Sequence, residues 1–205
     1  MPKRRGRWLE ERKRDEFYRM AKLEGYPSRA AYKLIEINKK FKIMKRGDHV
    51  LDLGCAPGGW LKVSKEFVGE DGLVLGVDIV PTRVEGTLFI KGDITEDGVV
   101  EKIKEGHWEY FDVVISDCSP KLTGFKDLDE ARALVLAEHA LRIAKNLLKK
   151  GGNLVVKFFM GKDFDGFLRE VKRVFSSVKT FKPSASRKRS NEIYVIAKGF
   201  KGERK

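Results

Sequence analysis

Charged residues that directly follow apolar segments are the side chains with which this chain could do chemistry. Asp117 follows one such segment, and Lys157 follows the apolar residues Leu154–Val156. A charge at the end of a buried strand is costly unless it is paired, so these positions indicate a function. Lys33, on a predicted helix, and Glu192, ahead of the last apolar segment, complete a set of two ammonium and two carboxylate groups. Together they could activate a weakly acidic hydroxyl group.

Lys157 is the candidate base of this set. Its pKa would fall if the side chain were buried near a second cation, Lys33. Asp117 would orient the Lys157 ammonium, and Glu192 would hold Lys33 or the hydroxyl. An alcohol hydroxyl is a poor nucleophile at neutral pH, so a reaction at such an oxygen needs a base or firm alignment with the electrophile.

A glycine-rich turn follows the first predicted strand, in the sequence Asp52-Leu-Gly54-Cys-Ala-Pro-Gly58-Gly-Trp60. Glycine at such a turn lets the backbone approach a ligand closely, so Gly54 and Gly58 are candidate cofactor contacts. The spacing is not the Gly-x-Gly-x-x-Gly of dinucleotide-binding proteins, and no Gly-Lys-Ser/Thr of a phosphate-binding loop follows. The turn is therefore predicted to bind a cofactor that has no polyphosphate group.

Two further acids end the next predicted strands. Asp78 suits the hydroxyls of a ribose, and Asp93 suits an adenine amino group. Turn chemistry alone is the other interpretation, because aspartate favours turns. Carboxylates around a nucleoside, with no phosphate-binding motif, predict S-adenosylmethionine as the cofactor. Asp117 could stabilise its positively charged sulfonium group. Trp60 could form a wall of the adenosine pocket, although a lone tryptophan is more often a packing residue.

Composition narrows the class of protein. The chain has 205 residues, 41% of them hydrophobic, and a formal net charge of +13. It has no apolar run long enough for a membrane helix and no signal peptide, and its two cysteines, Cys55 and Cys118, do not suggest disulfides or a metal site. These features predict a cytoplasmic protein without a metal cofactor.

The basic surplus is concentrated at the two ends of the chain. Residues 1–22 hold nine Lys and Arg against four acids, and a second cluster is Arg187-Lys188-Arg189. Basic segments that frame a balanced core favour contact with RNA. A heat-adapted surface rich in ion pairs is the alternative interpretation of so much charge.

Strands alternating with helices predict an α/β fold with a mostly parallel sheet and right-handed crossovers. The predicted strands are His49–Leu53, Leu73–Ile79, Thr87–Ile90, Phe111–Ser116, Asn153–Phe158, Val178–Phe181 and Ile193–Ala197. The predicted helices are Glu10–Leu23, one capped by Ser28, Gly58–Val68, one from a Thr95 cap to Lys104, Leu128–Leu148 and Phe164–Phe175. The last two strands are joined without a helix and should be antiparallel.

The predicted organisation is a single domain over residues 1–205. Residues 1–25 would form a basic N-terminal extension and residues 198–205 a basic tail.

Five motifs together resemble the FtsJ/RrmJ (RlmE) family of ribosomal-RNA 2′-O-methyltransferases. The motifs occur in family order over about residues 26–197: Ser28-Arg-Ala-Ala-Tyr-Lys33-Leu34, Asp52 to Trp60, Ser116-Asp117, Val156-Lys157-Phe158, and Ser186 to Tyr194. The resemblance implies a Rossmann-like, seven-stranded methyltransferase fold. It also implies a Lys33-Asp117-Lys157-Glu192 tetrad, with Lys157 as proton acceptor.

The same resemblance implies a cofactor and a product. The implied S-adenosylmethionine contacts are Gly58, Trp60, Asp78, Asp93 and Asp117. The implied product is a 2′-O-methyluridine in the peptidyl-transferase region of large-subunit rRNA, so the expected partner is rRNA or the large ribosomal subunit. Bacterial members usually have Met and Asn where this chain has Cys118 and Lys121, so substrate contacts beside the tetrad are expected to differ.

Several other functions remain open on the sequence. Cys118 could attack a pyrimidine base for methylation at carbon 5, but Lys33, Lys157 and Glu192 would then have no role. Transfer RNA could be the ribose substrate, since tRNA enzymes of the family share the tetrad; an mRNA cap enzyme would need a cap-binding segment that is not evident. A non-catalytic RNA-binding assembly factor would show the same basic ends, but decay would have eroded the tetrad first.

Overall fold

The structure is a computed structural model that describes residues 15–106, 108, 110–187 and 189–202. Its helices are α1 (Glu16–Leu23), α2 (Ala31–Phe41), α3 (Gly59–Val68), α4 (Val99–Glu105), α5 (Lys126–Leu147) and α6 (Phe164–Val174). Its strands are β1 (His49–Leu53), β2 (Leu73–Asp78), β3 (Leu88–Lys91), β4 (Phe111–Ser116), β5 (Leu148–Phe159), β6 (Phe175–Phe181) and β7 (Glu192–Phe200).

The strands form a single seven-stranded sheet in the order β3-β2-β1-β4-β5-β7-β6. Neighbouring strands from β3 to β5 are parallel, and β7 is antiparallel to both β5 and β6. This confirms the predicted Rossmann-like sheet with an antiparallel strand near the C-terminus. Because β1 to β5 run the same way, their carboxyl ends meet at one edge of the sheet, where such folds bind ligands.

Helices cover the sheet on both faces, and this explains the near-continuous apolar strands. One buried cluster packs α4, α5 and α6 against one face, through residues such as Ile103, Ala144 and Val171. The other cluster packs α2 and α3 against the opposite face, with Leu34 and Leu61 fully buried. The loops at the carboxyl edge are therefore held between two rigid layers.

Strand β5 begins earlier than the sequence predicts. The sequence predicts a strand from Asn153, but β5 starts at Leu148, directly after α5, and includes Gly151 and Gly152. Leu148 pairs with Phe111 of β4, and the register shifts before the regular pairing resumes at Asn153. The glycines thus lie within an irregular start of the strand.

Two predicted helix caps were wrong. Helix α2 has Ala30 as its N-cap, and no side chain caps it. Ser28 instead forms the turn before the helix, where its carbonyl accepts a hydrogen bond from the Ala31 amide at 3.2 Å. Thr95 does not cap α4, which begins at Val99; its amide and hydroxyl both donate to Asp93. In both places the serine or threonine belongs to a local turn that precedes the helix.

The ends of the chain also depart from the expected boundaries. Helix α1 is capped by Asp15, and residues 10–14 of the predicted helix lie outside the described residues. Within the expected extension, α1 is docked on the domain: Asp15 pairs with Arg29, and the Phe17 and Tyr32 rings are 5.6 Å apart. At the other end, β7 continues to Phe200, three residues into the expected tail.

Candidate active site

The carboxyl edge of the sheet holds a cavity of about 620 Å³. Four of the six residues predicted from the sequence as cofactor contacts line it, from the ends of four strands: Gly54, Asp78, Asp93 and Asp117. We call it the acidic cavity. Apolar residues that follow β2 also line it, as do Arg132, Val135 and Leu136 from α5. Its size is typical of pockets that take a nucleoside-sized ligand.

Gly54 must be glycine because the cavity wall leaves no room for a side chain. Its backbone φ is +74°, and a Cβ atom at this position would lie 2.2 Å from the Cys118 Sγ. Any other residue would push the β4 loop away and fill the space beside the cavity. The glycine thus leaves its backbone uncovered at the cavity wall, and its contact with a cofactor stays a prediction.

The aspartates of the cavity also hold the loops around it. The Asp78 carboxylate accepts backbone hydrogen bonds from Ala56 at 2.9 Å and Val80 at 2.8 Å. Asp93 accepts from the Thr95 amide and hydroxyl, and these bonds lower the pKa of Asp93. Turn chemistry and cavity lining are therefore combined in the same side chains.

Gly58 and Trp60 do not line the acidic cavity. A Cβ atom on Gly58 would meet Val84 at 2.6 Å, so this glycine allows close packing behind the turn. Trp60 is 3% exposed, and its indole nitrogen donates to the Ala30 carbonyl at 2.8 Å. Trp60 therefore joins α3 to the start of α2, while its ring packs 5.8 Å from Tyr194.

The four predicted tetrad residues come together next to the cavity. Lys157 Nζ lies 3.2 Å from the Asp117 Oδ1 and donates to the Asp117 carbonyl at 2.7 Å. Lys33 Nζ lies 2.9 Å from Glu192 Oε1 and 3.7 Å from Asp117 Oδ2. Both lysines are about nine-tenths buried. Elements separated by more than a hundred residues thus converge, as the sequence predicts.

Tyr194 is at the centre of this cluster and was not predicted as a site residue. Its hydroxyl accepts a hydrogen bond from Lys33 at 2.9 Å and donates one to Asp117 at 2.5 Å. It is directly opposite Lys157 in the antiparallel pairing of β5 with β7. Once that pairing is assumed, the residue two positions after Glu192 must share its face, which is the signal that could have found it.

Opposing effects set the charge of Asp117. Burial raises the pKa of this carboxyl, but Lys157, Lys33 and the Tyr194 hydroxyl outweigh that effect, and the pKa lies below its usual value. The carboxylate is thus ionised at neutral pH and holds both ammonium groups. By contrast, burial and the nearby Asp117 charge raise the pKa of Tyr194 well above its usual value, so its hydroxyl remains protonated.

A second cavity, of about 430 Å³, lies on the other side of the cluster. Arginines from the α2 start and the β6–β7 loop line it, namely Arg29, Arg187 and Arg189. We call it the basic cavity; Leu122 and Phe159 give it an apolar part. Asp117 lines the acidic cavity, whereas Lys33 and Glu192 line the basic cavity. The charged cluster therefore forms the wall between the two.

Comparison with known proteins agrees with this geometry. The sequence profile of the FtsJ-like methyltransferases matches residues 26–200. The chain belongs to the FtsJ-like methyltransferase family. It is 46% identical, over 97% of its length and 96% of the relative's, to a protein of Methanothermobacter thermautotrophicus named ribosomal RNA large subunit methyltransferase E. A protein of the same name from Methanothrix thermoacetophila is 52% identical over 90% of this chain and 72% of its own.

Solved structures support the same assignment of fold. A crystal structure from Plasmodium falciparum, described as a ribosomal RNA methyltransferase, matches with a TM-score of 0.77 and 29% identity, covering 87% of this chain and 100% of that one. The fibrillarin of Methanococcus jannaschii matches with a TM-score of 0.58 at 20% identity, covering 85% of this chain and 77% of that one. At that identity, the second match bears on the fold alone.

Membership of the FtsJ-like family implies S-adenosylmethionine as methyl donor, and the residues present fit it. Asp52, directly before the glycine turn, is 1% exposed, and neither of its carboxylate oxygens has a hydrogen-bond partner among the described residues. Burial raises the pKa of Asp52 well above its usual value, as do the charges of Asp117 and Asp78. A cation bound in the acidic cavity would offset the charges of Asp117 and Asp78, which line the cavity and raise the pKa of Asp52.

The chemistry of Cys118 does not fit a nucleophile in this FtsJ-like chain. Burial raises the pKa of its thiol to about 12, so little thiolate is present at neutral pH. The thiol sulfur also lies 3.2 Å from the Leu53 carbonyl oxygen, to which it donates a hydrogen bond. These features disfavour base methylation through a cysteine adduct.

The described part of the chain contains neither a candidate metal site nor a candidate membrane-spanning helix. No group of three or more His, Cys, Asp or Glu side chains there could hold a metal ion. No helix among the described residues is both long and apolar enough to cross a membrane.

Proposed function

We propose that this chain transfers the methyl group of S-adenosylmethionine to a ribose 2′-hydroxyl of large-subunit rRNA. The observation that carries the proposal is the position of the charged cluster. It separates an acidic cavity suited to a cationic nucleoside from a basic cavity suited to a polyanion. The wall between them is where the methyl group and the hydroxyl would meet.

The reaction needs alignment and a proton acceptor, and the cluster supports both. The basic cavity would place the ribose hydroxyl beside the charged cluster. Lys157, once its ammonium has released a proton to solvent, would take the hydroxyl proton as the oxygen–carbon bond forms and the sulfur–carbon bond breaks. Asp117 fixes the Lys157 amine through two contacts. Lys33 and Glu192 would hold the hydroxyl from the other side. Alignment alone accounts for much of the rate, because the sulfonium is already a strong electrophile.

The donor is proposed to bind in the acidic cavity. Asp78 would hold the ribose hydroxyls, Asp93 the adenine amino group, and Asp117 the positively charged methionine part. Gly54 would leave room for that part, while Gly58 and Trp60 would contribute by fixing the turn and α3 behind it. No metal is needed for these steps.

The RNA is proposed to enter through the basic cavity. Arg187 and Arg189 would contact phosphates on either side of the target nucleotide, and the loop that carries them is held in place by Glu36, which accepts from the Ser184 amide and hydroxyl. Lys188 and the basic residues 1–14 lie outside the described residues, and their contact with RNA stays a prediction. Leu122 and Phe159 offer an apolar surface to a base.

The names of the relatives favour large-subunit rRNA as the substrate, and the expected nucleotide is a uridine in the peptidyl-transferase region. The test is transfer of labelled methyl to purified large subunits, free rRNA and tRNA, followed by mapping of the 2′-O-methylated nucleotide. Label on one rRNA uridine supports the proposal. Label on tRNA would favour that substrate, label on a base carbon would overturn 2′-O transfer, and no label on any RNA would favour a binding factor.

Replacing Tyr194 with phenylalanine is expected to lower kcat by about tenfold to a hundredfold, since the hydroxyl bonds two charged groups. The change removes a hydrogen bond that lowers the pKa of Asp117. The acidic limb of the pH–rate profile should therefore move to higher pH. Methyl transfer at saturating substrate concentrations, measured between pH 3 and 9, gives both effects.

Tyr110, which is 56% exposed at the start of β4, provides the matched control. Tyr110→Phe should leave kcat and the pH profile unchanged. A Tyr194→Phe variant with the normal acidic limb would show that this hydroxyl does not tune the cluster.

A further inference from the structure

A second basic surface runs away from the cluster between α2 and the edge strand β6. It surrounds a hollow of about 180 Å³. Three lysines line that hollow: Lys40, Lys179 and Lys198. We call this surface the lysine patch. It is separate from the basic cavity, and neither the proposed reaction nor donor binding uses it.

The patch shares a face with the proposed active site. Lys33 and Lys40 are seven residues apart on α2, which is two helical turns, so they lie on the same side about 10 Å apart along the axis. On β7, every second side chain lies on the same face, so Tyr194, Ile196 and Lys198 share one face of the sheet. Each step of two residues covers about 7 Å along the strand. The patch therefore begins about 10 Å from the cluster.

The charge of the patch is not cancelled by neighbouring acids. The segments 31–42 and 175–202 contain two acids, and both are engaged: Glu36 by Ser184 and Glu192 by Lys33. Among the described residues, none of the three patch lysines takes part in an ion pair. Ion pairing of a heat-adapted surface therefore does not account for these lysines.

The patch lysines are also held in place. Lys40 Nζ lies 4.3 Å from the centre of the Phe181 ring, which is close enough for a cation–π contact. Lys198 Nζ donates to the carbonyls of Phe41 and Lys42 at the end of α2. Lys179 is exposed on the edge strand, beside the hollow. A positioned group of cations without acids suits the phosphates of a nucleic acid.

We infer that the lysine patch binds the RNA backbone about three nucleotide steps from the target nucleotide. This inference rests on the proposed function, because it takes the RNA bound at the basic cavity as the molecule that continues over the patch. Successive phosphates of a B-form DNA strand advance about 3.4 Å along the axis, and with a similar rise per nucleotide in an RNA helix a distance of about 10 Å corresponds to roughly three steps. The RNA substrate is thus expected to extend at least three nucleotides beyond the modified one.

The test compares two charge-matched double variants of the full chain. Lys40→Gln with Lys179→Gln removes two charges from the patch; Lys104→Gln with Lys145→Gln removes two exposed charges from α4 and α5, which pack on the opposite face of the sheet. Binding to a transcript of the peptidyl-transferase region of large-subunit rRNA is measured over a range of salt concentrations. The patch variant should bind about tenfold more weakly, and its log–log salt slope should fall by about 1 to 2.

The control variant should keep the wild-type slope. In methyl transfer, the patch variant should show a raised KM for the transcript with an unchanged kcat, and S-adenosylmethionine affinity should not change. A three-nucleotide RNA centred on the target nucleotide, too short to reach the patch, should bind both variants equally well.

If both double variants bound RNA equally weakly, the overall charge of the protein would explain the effect and the inference would be overturned. If neither variant bound RNA more weakly than the wild type, the patch would not contact RNA. Selective weakening with no methyl transfer by the wild-type chain would support the patch while rejecting the proposed function. The RNA-binding measurement therefore tests the lysine patch, and the methyl-transfer measurement tests the proposed function, so each can be rejected without the other.

Discussion

Replacing Lys157 with methionine is expected to abolish measurable methyl transfer, with kcat lowered by roughly 10³-fold, the effect of losing a positioned proton acceptor. Methionine preserves the length and apolar stem of the side chain, so the strand should pack as before. Without the ammonium 3.2 Å away, the pKa of Asp117 should rise, although Lys33 remains beside it. Single-turnover transfer of labelled methyl to the rRNA substrate measures the loss.

Two comparisons separate a chemical role from a structural one. Lys162→Met, five residues further on and exposed, should keep full activity. The Lys157→Met variant should keep the RNA affinity of the wild type and its cooperative thermal unfolding, because the basic cavity is untouched. Normal transfer by Lys157→Met would show that alignment alone drives the reaction and that the proton leaves to water.

The parts of the site that could be predicted are those fixed by the sheet. Asp78 and Asp117 end parallel strands, and parallel strands deliver their carboxyl ends to a common edge. The apolar strands between them are distinctive because both faces of the sheet are covered. For the same reason Lys157, a charge at the end of such a strand, stands out in the sequence.

The parts that could not be predicted depend on the register of strands and on turns. Tyr194 looks like an ordinary buried aromatic until the antiparallel pairing of β7 places it opposite Lys157. Trp60 looks like a pocket wall, yet its side chain fills the space between α3 and α2 because the Ala30 carbonyl is within reach. Ser28 and Thr95 likewise belong to local turns before the helices, so neither caps the helix that follows.

The basic character of the chain was predictable, but its arrangement was not. A net charge of +13 can describe an RNA-binding surface or a heat-adapted one. The structure separates the two because it shows which cations lack acidic partners. Arg142 and Lys149 pair with Asp97 and Asp112 away from the proposed site, whereas the lysine patch is unpaired within the described part of the chain. Sequence alone does not report partners.

Replacing Asp52 with asparagine is expected to stabilise the protein without donor and to weaken donor binding. The buried Asp52 carboxyl has a raised pKa in the folded state, so the folded protein holds a proton that the unfolded chain releases. Its contribution to stability is therefore fully present below the unfolded pKa of about 4 and is lost as pH rises towards the folded pKa, by about 1.4 kcal/mol per pH unit. Asparagine does not titrate, so the advantage of the variant should grow with pH.

Donor affinity should change in the opposite direction. A cation that reaches Asp52 would displace its proton, and loss of the charge should weaken S-adenosylmethionine binding by roughly 30-fold, since a buried charge loses its partner. Urea unfolding between pH 4 and 8 measures the first effect, and calorimetry in buffers of different ionisation enthalpy measures the second together with the released proton. Asp71→Asn, at an exposed carboxylate, should change neither. An Asp52→Asn variant that binds the donor normally would leave this buried carboxyl without a role in binding and would place the positive end of the donor against Asp117 alone.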